Sequence, residues 1–240
     1  AGFPVRPDPQ VDTLLAPYLD QVTAVCAQRL TTAAVPIGGG GGESAAGNLV
    51  VDAMRAHVVG SHVAVVNSGA LRAVIPEGEV SFCDVYSLFP FDNRFVELRL
   101  TGAELERFLE VLTSGAGSMP QISGFRLTVE DGPGVARDLD GDGDQERWET
   151  DRLLAAVDDA GRPVDAQGSY TLLLSDYLYK RPGDMRFVLG AIPGDRISIR
   201  EDRIRDALVD LLSGREEPLG ADGGWPLPQP GSPRISFEKL

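Results

Sequence analysis

The sequence predicts an α+β fold: a mixed β-sheet with helices packed on it. Three observations carry this expectation. Helical and strand-like stretches follow one another without a regular βαβ repeat. A short apolar run at residues 62–66, HVAVV, reads as a buried strand. Residues 94–100 alternate strictly and lead straight into a helix with its own start signal. At 240 residues and 42% hydrophobic composition, the chain has material for one large domain with a small appendage.

The elements follow in order. Residues 1–10 carry three prolines and read as an extended arm. Over residues 11–30, Val11, Leu14, Leu15, Tyr18, Leu19, Val22, Val25 and Cys26 recur at helical spacing, and Pro17 is expected to kink or divide that helix. Five glycines, 38–42, read as a joint. A phosphate cradle is the sharper reading, but the lysine and Ser/Thr of a P-loop are missing. Residues 43–58 form a helix with Leu49, Val50, Ala53, Met54 and His57 on one stripe. Residues 79–82 form a short strand, and Asp84 is expected to cap a helical turn ending near Leu88.

In the alternating strand, Phe95, Glu97 and Arg99 face one way and Val96, Leu98 and Leu100 the other. Thr101 with Glu104 three residues on is a capping box. The helix it opens buries Leu105, Phe108, Leu109 and Leu112 and stops at Gly115. Strands follow near residues 125–130, 153–157, 170–176 and 195–200, then a helix over 202–212. Residues 218–233 are rich in proline and glycine and are expected to wrap the surface.

A net charge of −14 argues against nucleic acid or an anionic membrane as partner. It leaves room for a small anionic ligand, which needs only a few local cations. Lysine is confined to Lys180 and Lys239; arginine supplies nearly all positive charge. No apolar run approaches the roughly 18 residues of a membrane span, and no secretory leader is read. Cys26 and Cys83 leave two readings open, a single bridge or two buried thiols, with the thiols preferred.

Residues 138–149 place acids at positions 1, 3, 5, 7, 9 and 12 of a twelve-residue loop, with Gly143 at position 6. That is the pattern of a Ca²⁺ loop, where hard oxygens converge on a hard cation and glycine makes the sharp turn. Asp138, Asp140, Asp142, Asp144 and Glu149 are the expected ligands. The upstream flank, GPGVAR, is not helical, and Gln145 stands where an apolar residue is usual. The loop therefore reads as a structural Ca²⁺ loop on a hairpin rather than an EF-hand, and it hints at a calcium-rich setting outside the cytoplasm.

A set of ordered motifs goes further. Glu43-Ser44-Ala45-Ala46-Gly47-Asn48 opens a helix; Asn67-Ser68-Gly69-Ala70-Leu71-Arg72 follows a strand; Pro76-Glu77-Gly78-Glu79-Val80 comes next. Then stand Asp84-Val85-Tyr86, Pro90-Phe91-Asp92-Asn93, Leu100-Thr101-Gly102-Ala103-Glu104-Leu105 and Ser123-Gly124-Phe125. In order and spacing, over roughly residues 43–200, these resemble the C-terminal, substrate-binding domain of the 5′-nucleotidase family. The resemblance divides the chain into an arm and linker helix (1–37), the family-like domain (38–217) and a tail (218–240).

The resemblance also implies roles. The family holds a nucleotide base between two aromatic rings, which suits a flat ligand with a π-face on each side. Phe91 matches the first ring, and Asn93 a donor to the base edge. Tyr177, in Ser175-Asp176-Tyr177-Leu178, takes the second ring position, and Asp184 is the ribose-hydroxyl acceptor. Arg72 matches an arginine that faces the anionic part of the substrate, where a planar fork suits phosphate oxygens. The departures are two. Gly-Gly-Asp-Gly is altered to Pro182-Gly183-Asp184-Met185 and carries one extra residue, and the glycine run replaces further arginines.

The family's catalytic domain is a two-metal phosphoesterase, and its ligand motifs are absent here. The histidines are His57 and His62, one on a helix stripe and one opening a strand, so both read as structural. No Gly-x-Ser-x-Gly elbow exists. The expected function is thus substrate recognition: binding a nucleoside or nucleotide, with the catalytic divalent metals in an N-terminal metallophosphoesterase domain. The alternative is a stand-alone, non-catalytic module with an eroded pocket and a structural Ca²⁺ loop. An extracytoplasmic setting, periplasmic, secreted or cell-surface, fits both.

Overall fold

A computed structural model describes residues 8–40, 42–115, 119–181 and 183–239. The first seven residues of the expected arm, Gly41 of the glycine run and Pro182 of the altered motif lie outside the described residues. The elements are α1 (Pro9–Cys26), β1 (Arg29–Ala33), α2 (Ala45–His57), β2 (Val63–Val66), β3 (Gly78–Ser81), α3 (Phe82–Leu88), β4 (Arg94–Thr101) and α4 (Gly102–Thr113). They continue as β5 (Gln121–Ser123), β6 (Phe125–Glu130), β7 (Val135–Ala136), β8 (Thr150–Asp151), β9 (Leu153–Asp158) and β10 (Ser169–Ser175). The chain closes with α5 (Asp176–Lys180), α6 (Arg186–Gly190), β11 (Ile197–Arg203), α7 (Ile204–Leu212) and β12 (Ile235–Glu238).

The fold is α+β, as the sequence predicts. Its centre is a five-stranded sheet ordered β11-β4-β10-β2-β5. β10 runs parallel to β2, while β4, β11 and β5 pair antiparallel with their neighbours, so the sheet is mixed. Successive side chains of a strand point to opposite faces, and this sheet puts both faces to use. Ala64, Val66, Phe95 and Leu173 join the core formed with α2 and α7, around Leu49, Met54 and Leu208. The alternate residues of the same strands, Val63, Val65, Val96, Leu98, Leu172 and Leu174, join a second core with α4, around Leu105, Phe108 and Leu109. The fully buried β2 explains why residues 63–66 are apolar without alternation.

Two glycines are fixed by close approach. A Cβ on Gly47 would lie 1.7 Å from the Gln121 side chain, which accepts hydrogen bonds from both the amide and the hydroxyl of Ser44 at the α2 N-cap. A Cβ on Gly102 would lie 1.8 Å from the Asp165 carbonyl oxygen. The Thr101–Glu104 capping box forms as expected. At α3 the cap is Ser81 rather than Asp84: Asp84 sits three residues into the helix and its carboxylate accepts from the Ser81 amide, 2.8 Å. An acid early in a helix is equally consistent with either position, which is why the sequence misplaced it.

The α1 helix runs unbroken through Pro17 and ends at Cys26, so residues 29–33, the first strand, are not helical. None of its 18 residues is buried, and the stripe of Leu14, Tyr18, Leu19 and Val22 is more than half exposed. The two cysteines are bonded, Cys26 to Cys83, with Cα atoms 4.7 Å apart. This corrects the preference for buried thiols. The tail is integral to the fold. Leu219 bridges to Ala33, β12 pairs in parallel with β6 at the edge of the sheet β12-β6-β9, and Arg234 forks onto Asp52 of α2.

Candidate functional site

Four of the sequence-predicted ligand residues, Arg72, Phe91, Asn93 and Tyr177, lie at one end of the five-stranded sheet. The register sets Ser175, the last residue of β10, opposite Phe95 at the start of β4, and the parallel pair Leu173–Ala64 carries the C-terminal end of β2 to the same edge. Arg72, Phe91, Asn93 and Tyr177 all leave the sheet there. Arg72 follows β2 after a short 3₁₀ turn, and its amide donates to the Leu88 carbonyl at 2.9 Å. Phe91 and Asn93 lie in the connection from α3 to β4, where the Asn93 carbonyl accepts from the Ile204 amide, 2.9 Å. Tyr177 is the second residue of α5, a five-residue helix capped by the Ser175 hydroxyl. The Asp176 carboxylate accepts from the Arg94 amide at 3.1 Å, which ties the Tyr177 turn to the Asn93 turn.

Arg72 and Phe91 touch. The guanidinium carbon lies 5.3 Å from the ring centroid, and the edge of Phe89 packs against Phe91 at 6.1 Å. Arg72 is exposed and pairs with no carboxylate among the described residues, so its charge is left for the space above the sheet end. Phe91 is half-buried, and Tyr177 is 51% exposed although it is a large aromatic side chain. Asp184 stands apart from this group. It lines a neighbouring cavity of about 270 Å³ with Asn67, Met119 and Leu178. A larger cavity, about 560 Å³, surrounds His62 and Tyr170 at the other end of the sheet. The arginines on its wall, Arg55 and Arg162, are already paired with Asp159 and Asp158.

One residue at the site carried no local signal. Arg205, in the first turn of α7, is buried and donates to the Asp92 carboxylate and, at 3.4 Å, to the Phe91 carbonyl. Its guanidinium lies 4.7 Å over the Tyr86 ring. The hydrogen bond from Arg205, with its charge, holds the Asp92 carboxyl below its ordinary pKa. Arg205 is 113 residues from Asp92 in sequence, so no local motif marks it.

The histidines hold structure. His57 Nε2 donates to the Asp202 carboxylate at 3.0 Å and its ring stacks on Phe95, and His62 Nδ1 accepts from the Thr171 amide at 3.0 Å.

The acidic loop lies between β7 and β8, on the arm joining β6 to β9. Carboxylate oxygens of Asp138, Asp140 and Glu149 lie within 4.8 Å of one another, as do those of Asp140, Asp142 and Glu146; such clusters can hold a metal ion. Asp144 belongs to neither grouping. Glu149 is fully buried. Burial raises its pKa, but amide donors of Glu146, Asp140 and Leu139 outweigh that and lower it overall. Glu146 is pushed up, first by its hydrogen bond to Glu149. Gly141 and Gly143 adopt positive φ, +80° and +91°, which lets the acids turn inward. Carboxylates around a glycine turn are the donor set of a hard cation.

A family model described as the 5′-nucleotidase C-terminal domain matches residues 29–188. The chain belongs to that family. Among curated relatives, endonuclease YhcR of Bacillus subtilis is 24% identical over 219 residues, 90% of this chain and 16% of that protein. A probable 5′-nucleotidase of Treponema pallidum is 30% identical over 148 residues, 59% of this chain and 23% of the relative. The solved 5′-nucleotidase precursor of Thermus thermophilus superposes with a TM-score of 0.69 at 23% identity, covering 96% of this chain and 43% of that one. The 5′-nucleotidase C-terminal domain described here therefore spans less than half the length of these proteins. No helix among its described residues is long and apolar enough to cross a membrane.

Proposed function

We propose that this 5′-nucleotidase C-terminal domain is a substrate-recognition module that binds a nucleoside or nucleotide. In this reading the base stacks between Phe91 and Tyr177, Asn93 bonds its edge, Arg72 faces the phosphate and Asp184 accepts from a ribose hydroxyl. The observation that carries it is the convergence of an unpaired, exposed Arg72 with Phe91 and a half-exposed Tyr177 on one sheet end. Hydrolysis belongs to an N-terminal metallophosphoesterase domain, whose metals would activate water. The loop of residues 138–149 holds a structural Ca²⁺. The disulfide favours an oxidising, extracytoplasmic setting.

Calorimetric titration with adenosine and AMP tests the reading. Saturable binding of either, lost in Phe91→Ala with the fold intact, supports it. No heat at millimolar ligand favours the alternative, a non-catalytic module with an eroded pocket. That alternative draws on Arg72 already occupying one face of Phe91.

A further inference from the structure

We propose that Arg205 is a positioning residue for the base platform, holding Phe91 and Asn93 in place through Asp92; this rests on the nucleoside-binding reading. Phe91 and Asn93 sit in a connection outside helix and strand, residues 89–93, so regular backbone pairing does not fix them. Arg205 supplies what is missing. One guanidinium nitrogen donates to the Phe91 carbonyl and another to the Asp92 carboxylate, so a single rigid fork fixes two consecutive residues. Next to it in sequence, the Ile204 amide holds the Asn93 carbonyl. The first turn of α7 thus grips the whole turn that carries the platform.

The energetics favour a positional role over a stabilising one. The Arg205 side chain is 8% exposed, while its partner Asp92 is 63% exposed. Its Nε is buried and has no acceptor among the described residues. A buried cation facing a solvated carboxylate, with one donor unmet, is a poor source of stability, and an apolar side chain of similar size packs such a position as well or better. The Tyr86 ring under the guanidinium recovers part of the desolvation cost and fixes the plane of the fork. Arg203, 3.7 Å from Asp92, adds charge but no hydrogen bond. What Arg205 gives in return is geometry at Phe91. Preorganising a loop in its bound shape raises affinity by removing the ordering cost at the moment of binding.

The test uses the 240-residue chain with adenosine as probe. Arg205→Met and Asp92→Asn are each expected to weaken adenosine binding, by about tenfold for the former, the scale of freeing one or two ordered side chains. The double variant is expected to bind no more weakly than Arg205→Met, because both act through one contact. Amides of residues 91–94 should exchange faster with solvent in Arg205→Met while those of 96–100 stay protected. Arg196→Met, which breaks the pair with Glu104 elsewhere on the fold, controls for general destabilisation and should leave affinity unchanged.

Unchanged affinity in folded Arg205→Met, or losses that add fully in the double variant, overturns the proposal. If Arg205→Met does not fold, Asp92→Asn decides alone, and unchanged affinity there overturns it. Phe91→Ala separates the two claims: if it binds adenosine normally, the platform reading has failed. The exchange rates at 91–94 then still decide whether Arg205 holds the turn, and unaltered rates overturn that.

Discussion

Arg234, six residues from the C-terminus, grips Asp52 of α2 through both guanidinium nitrogens, at 2.9 and 2.7 Å. The same carboxylate accepts from the Ser123 hydroxyl and the Trp225 indole, each at 2.6 Å, so Asp52 is saturated by groups from three distant segments. The Arg234 amide donates to Glu43. The tail is held to the signature helix by charge-assisted bonds, which are about twice as strong as neutral ones.

Arg234→Met is expected to lower stability by about 2 kcal/mol, since it leaves a partly buried carboxylate short of its cation. Urea unfolding at pH 7 checks this. An unchanged midpoint would mean that the tail is held by β12 and Leu219 alone.

Tyr177→Ala is expected to weaken adenosine by about tenfold, within the range of one lost base–aromatic stack, and to leave the thermal midpoint nearly unchanged because the ring is 51% exposed. Arg72→Met should weaken AMP while leaving adenosine alone, because a charge with no carboxylate partner among the described residues serves the phosphate and not the base. Titration of both ligands against both variants separates the base contact from the phosphate contact.

Excess Ca²⁺ is expected to raise the thermal midpoint, with a stabilisation of about 2.7 kcal/mol at a hundred times the dissociation constant. Asp138→Asn with Asp140→Asn should abolish the rise without unfolding the chain, since the loop is largely exposed apart from Leu139 and Glu149. A melt in which Ca²⁺ and Mg²⁺ act identically would argue for general charge screening instead.

Acid should cost stability through Asp202. Its carboxyl is pulled from 3.8 down to about 2, first by the Arg200 hydrogen bond and also by His57, against the opposing effect of burial. The folded value lies below the unfolded one, so the contribution is complete above about pH 4 and disappears as pH falls toward 2. Asp202→Asn should flatten the stability profile in that window and leave its slope near neutrality unchanged, as read by denaturant midpoints across pH.

Reducing Cys26–Cys83 should lower stability by up to about 4 kcal/mol in the chain-entropy account, given the 57-residue separation. Melts with and without reductant, set against Cys83→Ser, check it. Equal midpoints would show that the bond constrains a segment already ordered in the unfolded chain.

The parts of this molecule legible in the sequence are those encoded locally. Thr101 and Glu104 sit three residues apart and cap α4 as they must. The alternation of residues 94–100 reports a strand between two cores, and both cores exist. Arg72 and Phe91 came from ordered motifs, and they meet. What stayed hidden depends on long-range geometry. β12 pairs with a strand more than a hundred residues earlier and lies beside a Pro/Gly-rich stretch that masks it. The disulfide required the two Cα atoms to approach within 4.7 Å, which no spacing reveals. Arg205 and Asp92 are 113 residues apart, and each is unremarked alone.

The unburied α1 helix has a mechanical consequence. Eighteen residues at 1.5 Å each make a rod of about 27 Å; none of them is buried, and its last turns, with Val22, Val25 and Cys26, face Phe82, Cys83 and Tyr86 of α3. Its root is pinned twice, by the chain running into β1 and by the bond to Cys83 in α3. Two pins a few residues apart turn a swivel into a cantilever. The bearing of the far end of α1 is then dictated by α3, whose other end leads directly into the Phe91 turn.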